Sequence, residues 1–249
     1  MSRESVEARS AVWTESALDA FWERELDFPE HSFSVKYGPG LIAMLRRYIS
    51  AGDDVLDYGC GPGRLSSRLC LDLGANVWAT DRLGGAVEAA NRLNASYPTF
   101  RGALAAGALA GFSGCFDAMV AVELLEHLPD PAIEEFFATA RRLLRAGGLL
   151  IVTTPNSERL EAKDVLCPSC GTVFHRWQHL RSIDARELRA WGAAAGFGVE
   201  EIGETDFGKR SPRFPRPARH WEGRFRRSRT RRRARPHLMG VFAHYPANG

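Results

Sequence analysis

The sequence predicts an α/β fold, an open and mostly parallel sheet wound with helices on both faces. Three observations carry this. The first is Val55-Leu56-Asp57-Tyr58, a short apolar strand that runs into a turn with glycine at 59, 61 and 63. Behind it, Leu65, Leu69 and Leu73 recur at helical spacing. The second is the same strand, turn and helix order repeated: Asn76–Asp81 before a helix over 85–93, and residues 115–122 before a helix with the stripe Ile133, Phe136, Phe137, Ala140, Leu143, Leu144. The third is the apolar run 149–156, a fifth strand entered through Gly147-Gly148, which ends the preceding helix.

The glycine turn is built for a ligand. Glycine reaches backbone dihedrals closed to other residues, and without a Cβ it lets a flat group lie against the main chain. A dinucleotide fingerprint would place its third glycine at position 64, which is arginine here, so the spacing is G-x-G-x-G. Asp81 ends the second strand 22 residues beyond Gly59, where an open α/β sheet places an acid for ribose hydroxyls. A carboxylate accepts two hydroxyl protons at once.

The bounds on the chain are simple. Its 249 residues, 45% of them hydrophobic, suit one sizeable α/β domain with embellishments. No stretch approaches the ~18 apolar residues of a membrane span, and the N-terminus leads into polar residues, so a soluble cytoplasmic protein is expected. The five cysteines, at 60, 70, 115, 167 and 170, do not form a disulfide framework. The net charge of +3 is uneven: residues 209–236 hold thirteen Lys/Arg against Glu222, a charge of +12 that leaves −9 for the rest.

In order, residues 1–50 read as an N-terminal helical cap, with helices over 17–26 and 41–49, and 51–208 plus 237–249 as the core. The third strand spans 99–104. Asp130 caps the helix that has Pro131 at its first position, and Asp184 caps a helix over 185–195. A sixth strand covers 198–204 and a seventh lies in 237–245. Residues 160–182 form a Cys/His insertion, and 209–236 a basic one.

Asp57 with the G-x-G-x-G turn, the run Glu123-Leu124-Leu125-Glu126-His127-Leu128-Pro129-Asp130-Pro131, and Leu143-Leu144-Arg145-Ala146-Gly147-Gly148-Leu149-Leu150-Ile151-Val152 together resemble the class I S-adenosylmethionine (SAM) methyltransferases over about residues 40–205. The resemblance implies a doubly wound, Rossmann-like sheet of seven strands with the seventh antiparallel between the fifth and sixth, and a cap that closes over the cofactor. It implies SAM as cofactor, with Asp57 at its methionine end, the loop residues Gly59, Cys60, Gly61 and Gly63, then Asp81 and Arg82 at the ribose, and Glu123. No acid follows the third strand to read the adenine amino group, so main-chain groups at Leu104 and Ala105 are expected there.

Residues 123–127 follow the fourth strand, where open α/β sheets bind ligands. Glu123, Glu126 and His127 are therefore the candidate catalytic groups, with His127 positioning or deprotonating the acceptor. The stretch resembles that of the ubiquinone-biosynthesis O-methyltransferases, which implies a small-molecule acceptor; a hydroxyl or amine of a small molecule or glycan precursor is the leading expectation. Its Glu-x-x-Glu-His also resembles the small-RNA terminal 2′-O-methyltransferases. That alternative implies Mg²⁺ or Mn²⁺ on Glu123, Glu126, His127 and a second histidine, for which His179 is the matching position. Separately, Cys167, Cys170, His175 and His179 form C-x2-C-x4-H-x3-H, a donor set suited to tetrahedral structural zinc. The two metal readings compete for His179. Phe214, Trp221 and Phe225 among the arginines of 209–236 fit nucleic acid as a partner, and equally an anionic membrane surface or an acidic glycan. A non-catalytic module that binds SAM or RNA is the alternative from another class.

Overall fold

The computed structural model describes residues 8–209 and 235–245. The strands of the main sheet are β1 (Asp54–Tyr58), β2 (Asn76–Asp81), β3 (Phe100–Ala105), β4 (Phe116–Val122), β5 (Leu144–Pro155), β6 (Gly198–Thr205) and β7 (His237–Ala243). Their order is β3-β2-β1-β4-β5-β7-β6. All neighbours are parallel except β7, which runs antiparallel to both β5 and β6. Besides the single helical turn Phe33–Lys36, the α-helices among the described residues are α1 (Glu15–Glu25), α2 (Gly38–Leu45), α3 (Arg64–Arg68, continued by a π turn Leu69–Leu73), α4 (Gly84–Asn94), α5 (Asp130–Leu143) and α6 (Ala185–Ala194).

Both sheet faces are dry, which is why the strands are continuous apolar runs. Side chains alternate between faces along each strand. Leu56, Met119, Ala121, Leu150, Val152, Leu238 and Phe242 join Ile133, Phe136 and Phe137 of α5 and Leu188 of α6. Val55, Ala118, Val120, Ile151, Met239 and Val241 join Leu41 and Leu45 of α2 and Leu65, Leu69 and Leu73 behind the glycine turn. Every residue of β7 is buried.

Some boundaries differ from expectation. Helix α5 stops at Leu143 and β5 starts at once, so Gly147-Gly148 lie inside the strand, with Gly147 at φ 78°. Pro129, not Asp130, holds the N-cap position of α5. Asp184 does cap α6, accepting from the N–H groups of Arg186 and Glu187 at 2.8 Å each. The insertion after β5 forms a hairpin, Asp164–Leu166 against Thr172–His175, with the two-residue strand Arg9–Ser10 added in parallel. All five cysteines are free thiols. Among the described residues, no helix is long and apolar enough to cross a membrane.

At the start of β7 the His237 ring packs against Phe33, Tyr37 and Phe207, with centroids 4.8–5.2 Å away. Burial pushes its pKa down from 6.5 to about 4, and the opposing charges of Asp206 and Lys36 act on it less. The unfolded chain therefore takes up this proton first as pH falls. The stability tied to a neutral His237 is complete above about pH 6.5 and lost toward pH 4. We expect His237→Gln to lose less stability than the parent between pH 7 and 4.5, read from urea midpoints; equal losses would remove His237 from the acid limb.

Candidate active site

The first half of the site surrounds the glycine turn. Gly59, Gly61 and Gly63 have φ of 76°, 49° and 78°, conformations that favour glycine. The last two serve different ends. A Cβ on Gly63 would lie 2.8 Å from Ala90 Cβ and 2.6 Å from Asn94 Nδ2, so this glycine lets the turn pack on α4. A Cβ on Gly61 would meet nothing within 4 Å, so its face is open to a ligand. Asp81 accepts the Gly61 N–H at 2.9 Å and the Leu83 N–H at 3.0 Å, tying the turn to the end of β2. Burial raises the Asp81 pKa, against those hydrogen bonds.

The other expected cofactor residues are placed as follows. Asp57 is 2% exposed and accepts the Ser66 hydroxyl at 2.6 Å; burial pushes its pKa up to about 7. It clamps the start of α3 from beneath the turn. The buried Cys60 thiol is held protonated and donates to the Gly61 carbonyl. Arg82 pairs with Asp19 of α1. The Leu104 carbonyl accepts the Thr80 hydroxyl at 2.9 Å, and Ala105 is exposed at the end of β3.

The second half begins where β4 stops. Glu123 has φ 51°, a left-handed conformation that costs a non-glycine residue about 1–3 kcal/mol and collects at functional sites. Its Oε1 accepts the Thr153 hydroxyl at 2.9 Å, and burial pushes its carboxyl up to about 8. Ser157 and Gln178 are also left-handed, and these three are the only such non-glycine residues among those described. All three border one cluster. Glu126 is 1% exposed, and neither of its carboxylate oxygens makes a hydrogen bond of good geometry. Burial, then the Glu123 charge, raise its pKa well above the carboxylate range, against its own backbone N–H and the nearby Thr154 hydroxyl.

His127 Nε2 lies 3.9 Å from Glu126 Oε1, while its Nδ1 is 3.4 Å from the Gln178 carbonyl. Burial, then His179, push the His127 pKa down to about 3, so the ring is neutral. The ring centroids of His127 and His179 are 4.9 Å apart. Glu126, His127 and His179 have ligand atoms within 4.8 Å of one another. Trp22 of α1 lies edge-on to His127 at 4.7 Å and donates its Nε1–H to Gln178 Oε1 at 2.9 Å.

The structure thus brings Glu126, His127 and His179 together, with Glu123 beside them. It does not bring together Cys167, Cys170, His175 and His179. The cysteines sit at the turn of the hairpin, whereas His175 pairs with Asp164 at its far end, three strand steps or about 10 Å along from Thr172. Among the described residues no cluster of three metal-ligating groups contains a cysteine. His175 and His179 instead meet Glu158, which sequence reasoning missed. Its one signal was an acid just past the end of the fifth strand. Burial works to raise the Glu158 pKa, and its hydrogen bond to His179 with the nearby imidazoles and Lys163 outweighs this and lowers it. Gln178 and Trp22 carried no signal. The basic stretch 210–234, on which the nucleic-acid reading rested, lies outside the described residues.

A glycine turn and an acid at the carboxyl ends of parallel strands, near a cluster of acids and histidines, fit an enzyme of the open α/β class that takes a nucleoside-bearing cofactor. Comparison with known proteins narrows the class. A family profile described as a methyltransferase domain matches residues 35–202. A ubiquinone biosynthesis O-methyltransferase of Pseudomonas aeruginosa is 31% identical over 201 residues, covering 76% of this chain and 82% of that one. One from Azotobacter vinelandii is 30% identical with the same coverage. The Burkholderia thailandensis 1,6-didemethyltoxoflavin-N1-methyltransferase, solved with S-adenosylhomocysteine, shares the fold at a TM-score of 0.64 and 18% identity, over 97% of this chain and 94% of that one. A Haemonchus contortus phosphoethanolamine N-methyltransferase shares it at 0.63 and 17%, over 95% and 51%. The chain belongs to the class I SAM-dependent methyltransferases, and SAM is its methyl donor.

Proposed function

We propose that the chain methylates a hydroxyl oxygen of a small molecule, phenolic or sugar-like, bound at the end of β4 where Glu126, His127 and His179 hold a divalent cation. The observation that carries this reading is Glu126. A carboxylate buried without a hydrogen bond of good geometry is costly, and it faces two imidazoles. Two nitrogens and a carboxylate suit a divalent metal of the transition series. Such an ion, when bound, would lower the pKa of a hydroxyl in contact with it.

The chain's own residues account for the rest. A Cβ on Gly59 would lie 3.0 Å from Leu124 Cδ1, so the donor loop and the acceptor turn touch, and a shared frame aligns the two reactants. As the acceptor oxygen bonds to the methyl carbon, the carbon–sulfur bond breaks and S-adenosylhomocysteine leaves. The hydroxyl proton passes to Glu123, whose carboxyl is poised near working pH. The described part of the N-terminal segment, residues 8–50, acts as a cap over this site, a role supported by the Trp22 contact with His127. Oxygen as the methylated atom is supported by the names of the relatives, and a reducing, cytoplasmic setting by the five free thiols.

The test is S-adenosylhomocysteine release from hydroxylated small molecules and, in parallel, from RNA, before and after chelation. We expect turnover on small molecules that chelation abolishes and Mn²⁺ restores. Chelation-resistant turnover would refute the ion, and turnover on RNA alone would refute the acceptor class.

A further inference from the structure

Two clusters of ligating side chains share His179: Glu126, His127 and His179 on one side, Glu158, His175 and His179 on the other. The hydrogen bonds of the three imidazoles decide which cluster offers lone pairs. A neutral imidazole that donates through one nitrogen presents the other bare.

The Gln178 carbonyl and the Glu158 carboxylate only accept. His179 therefore carries its proton on Nδ1, toward Glu158 Oε2, and leaves Nε2 bare. The His127 ring faces two backbone acceptors, the Gln178 carbonyl at Nδ1 and the Glu123 carbonyl. His175 is the reverse case. Its Nδ1 accepts the backbone N–H groups of Trp177 at 3.3 Å and His179 at 3.1 Å, so its proton sits on Nε2, 3.8 Å from Glu158 Oε1. With Nδ1 occupied by two donors and the proton on Nε2, His175 has no lone pair to offer a metal. In the second cluster only His179 hydrogen-bonds Glu158, with His175 and Lys163 close around the carboxylate, and the first cluster is the ligand set.

The second cluster is firmly held. Lys163 Nζ lies 3.5 Å from Glu158 Oε1, and His175 stacks on His179 with centroids 4.3 Å apart and planes 24° from parallel. Glu158 itself follows the left-handed Ser157, whose N–H donates to the Ile183 carbonyl at 2.9 Å.

We propose that Glu158 is a positioning residue: it keeps the His179 proton on Nδ1 and so turns the bare Nε2 toward the space shared with Glu126 and His127. Its consequence for an ion rests on the reading of that set given above. Carboxylate partners of ligating histidines commonly contribute about 10–100-fold to metal affinity.

The experiment uses the full, metal-free chain with ¹⁵N-labelled histidine, and the His179 signals are assigned by their loss in His179→Gln. Long-range ¹H–¹⁵N spectra distinguish Nδ1–H from Nε2–H. We expect Nδ1–H for His179 in the parent and in Glu158→Asp, and a shift of the proton to Nε2 in Glu158→Ala. Mn²⁺ affinity should fall about 10–100-fold in Glu158→Ala and recover in part in Glu158→Asp. If Glu158→Ala does not fold, Glu158→Met, similar in shape and without an acceptor oxygen, carries the same comparison. An unchanged His179 tautomer, or parental Mn²⁺ affinity, in the Ala or Met variant overturns the proposal. If the parent binds no Mn²⁺, the ion reading fails by itself, and the tautomer still decides the role of Glu158.

Discussion

Glu126→Met yields a folded protein, more stable than its parent and almost without turnover. The side chain is 1% exposed and its oxygens make no hydrogen bond of good geometry, so in the metal-free chain it is a buried polar group poorly compensated by its own N–H and the Thr154 hydroxyl nearby. Replacing such a group by an apolar one of similar shape is neutral or stabilising, here by about 1–3 kcal/mol. The same change removes the only carboxylate of the ligand set, and we expect methyl transfer to fall by about 10²–10⁴-fold, the range of a lost acid–base or ion-holding group. Urea denaturation of the metal-free chain and single-turnover assays separate the two effects. A variant both less stable and inactive would mean that Glu126 supports the core.

Asp81→Ala weakens SAM binding by about 10–100-fold, read by calorimetry. Hydrogen bonds to a charged group are each worth about 1.5–3 kcal/mol, and Asp81 stands beside the open face of Gly61. Asp57 supplies the contrast. It is turned inward onto Ser66, so Asp57→Asn should show its main effect in stability and only a small one in affinity. If both variants bound SAM as the parent does, the donor would lie elsewhere.

Much of the fold was legible because the main strands are buried on two faces. Val55 and Leu56, or Met119 and Val120, are apolar neighbours that face opposite layers, and such runs announce a doubly covered sheet. The place of β7 was not in its own residues; 237–245 reads only as apolar, and family topology supplied its neighbours. The glycine turn and Asp81 were legible because their spacing is local chemistry. The Cys/His stretch misled for a physical reason. Four residues between Cys170 and His175 wrap an ion when they turn and separate the donors when they extend, and Thr172-Val173-Phe174, β-branched and aromatic, favour extension. Glu158 and Gln178 acquire meaning only where two loops meet, which no spacing records.

The junction of β6 with β7 has a consequence for how this protein varies. Thr205, the last residue of β6, pairs directly with His237, the first of β7. Antiparallel neighbours closed in this way need only a two- to five-residue turn. Of the 31 residues between them, Phe207 packs into the core, and closing the pair of strands needs only a few of the others. Lengthening such a connection adds little closure entropy, about 0.6 kcal/mol per doubling. Because His237 also pairs with Pro155 at the exit of β5, this slot opens on the same edge as the active site. The pairing of the sheet therefore sets no limit on the length or charge of the connection carried on that edge.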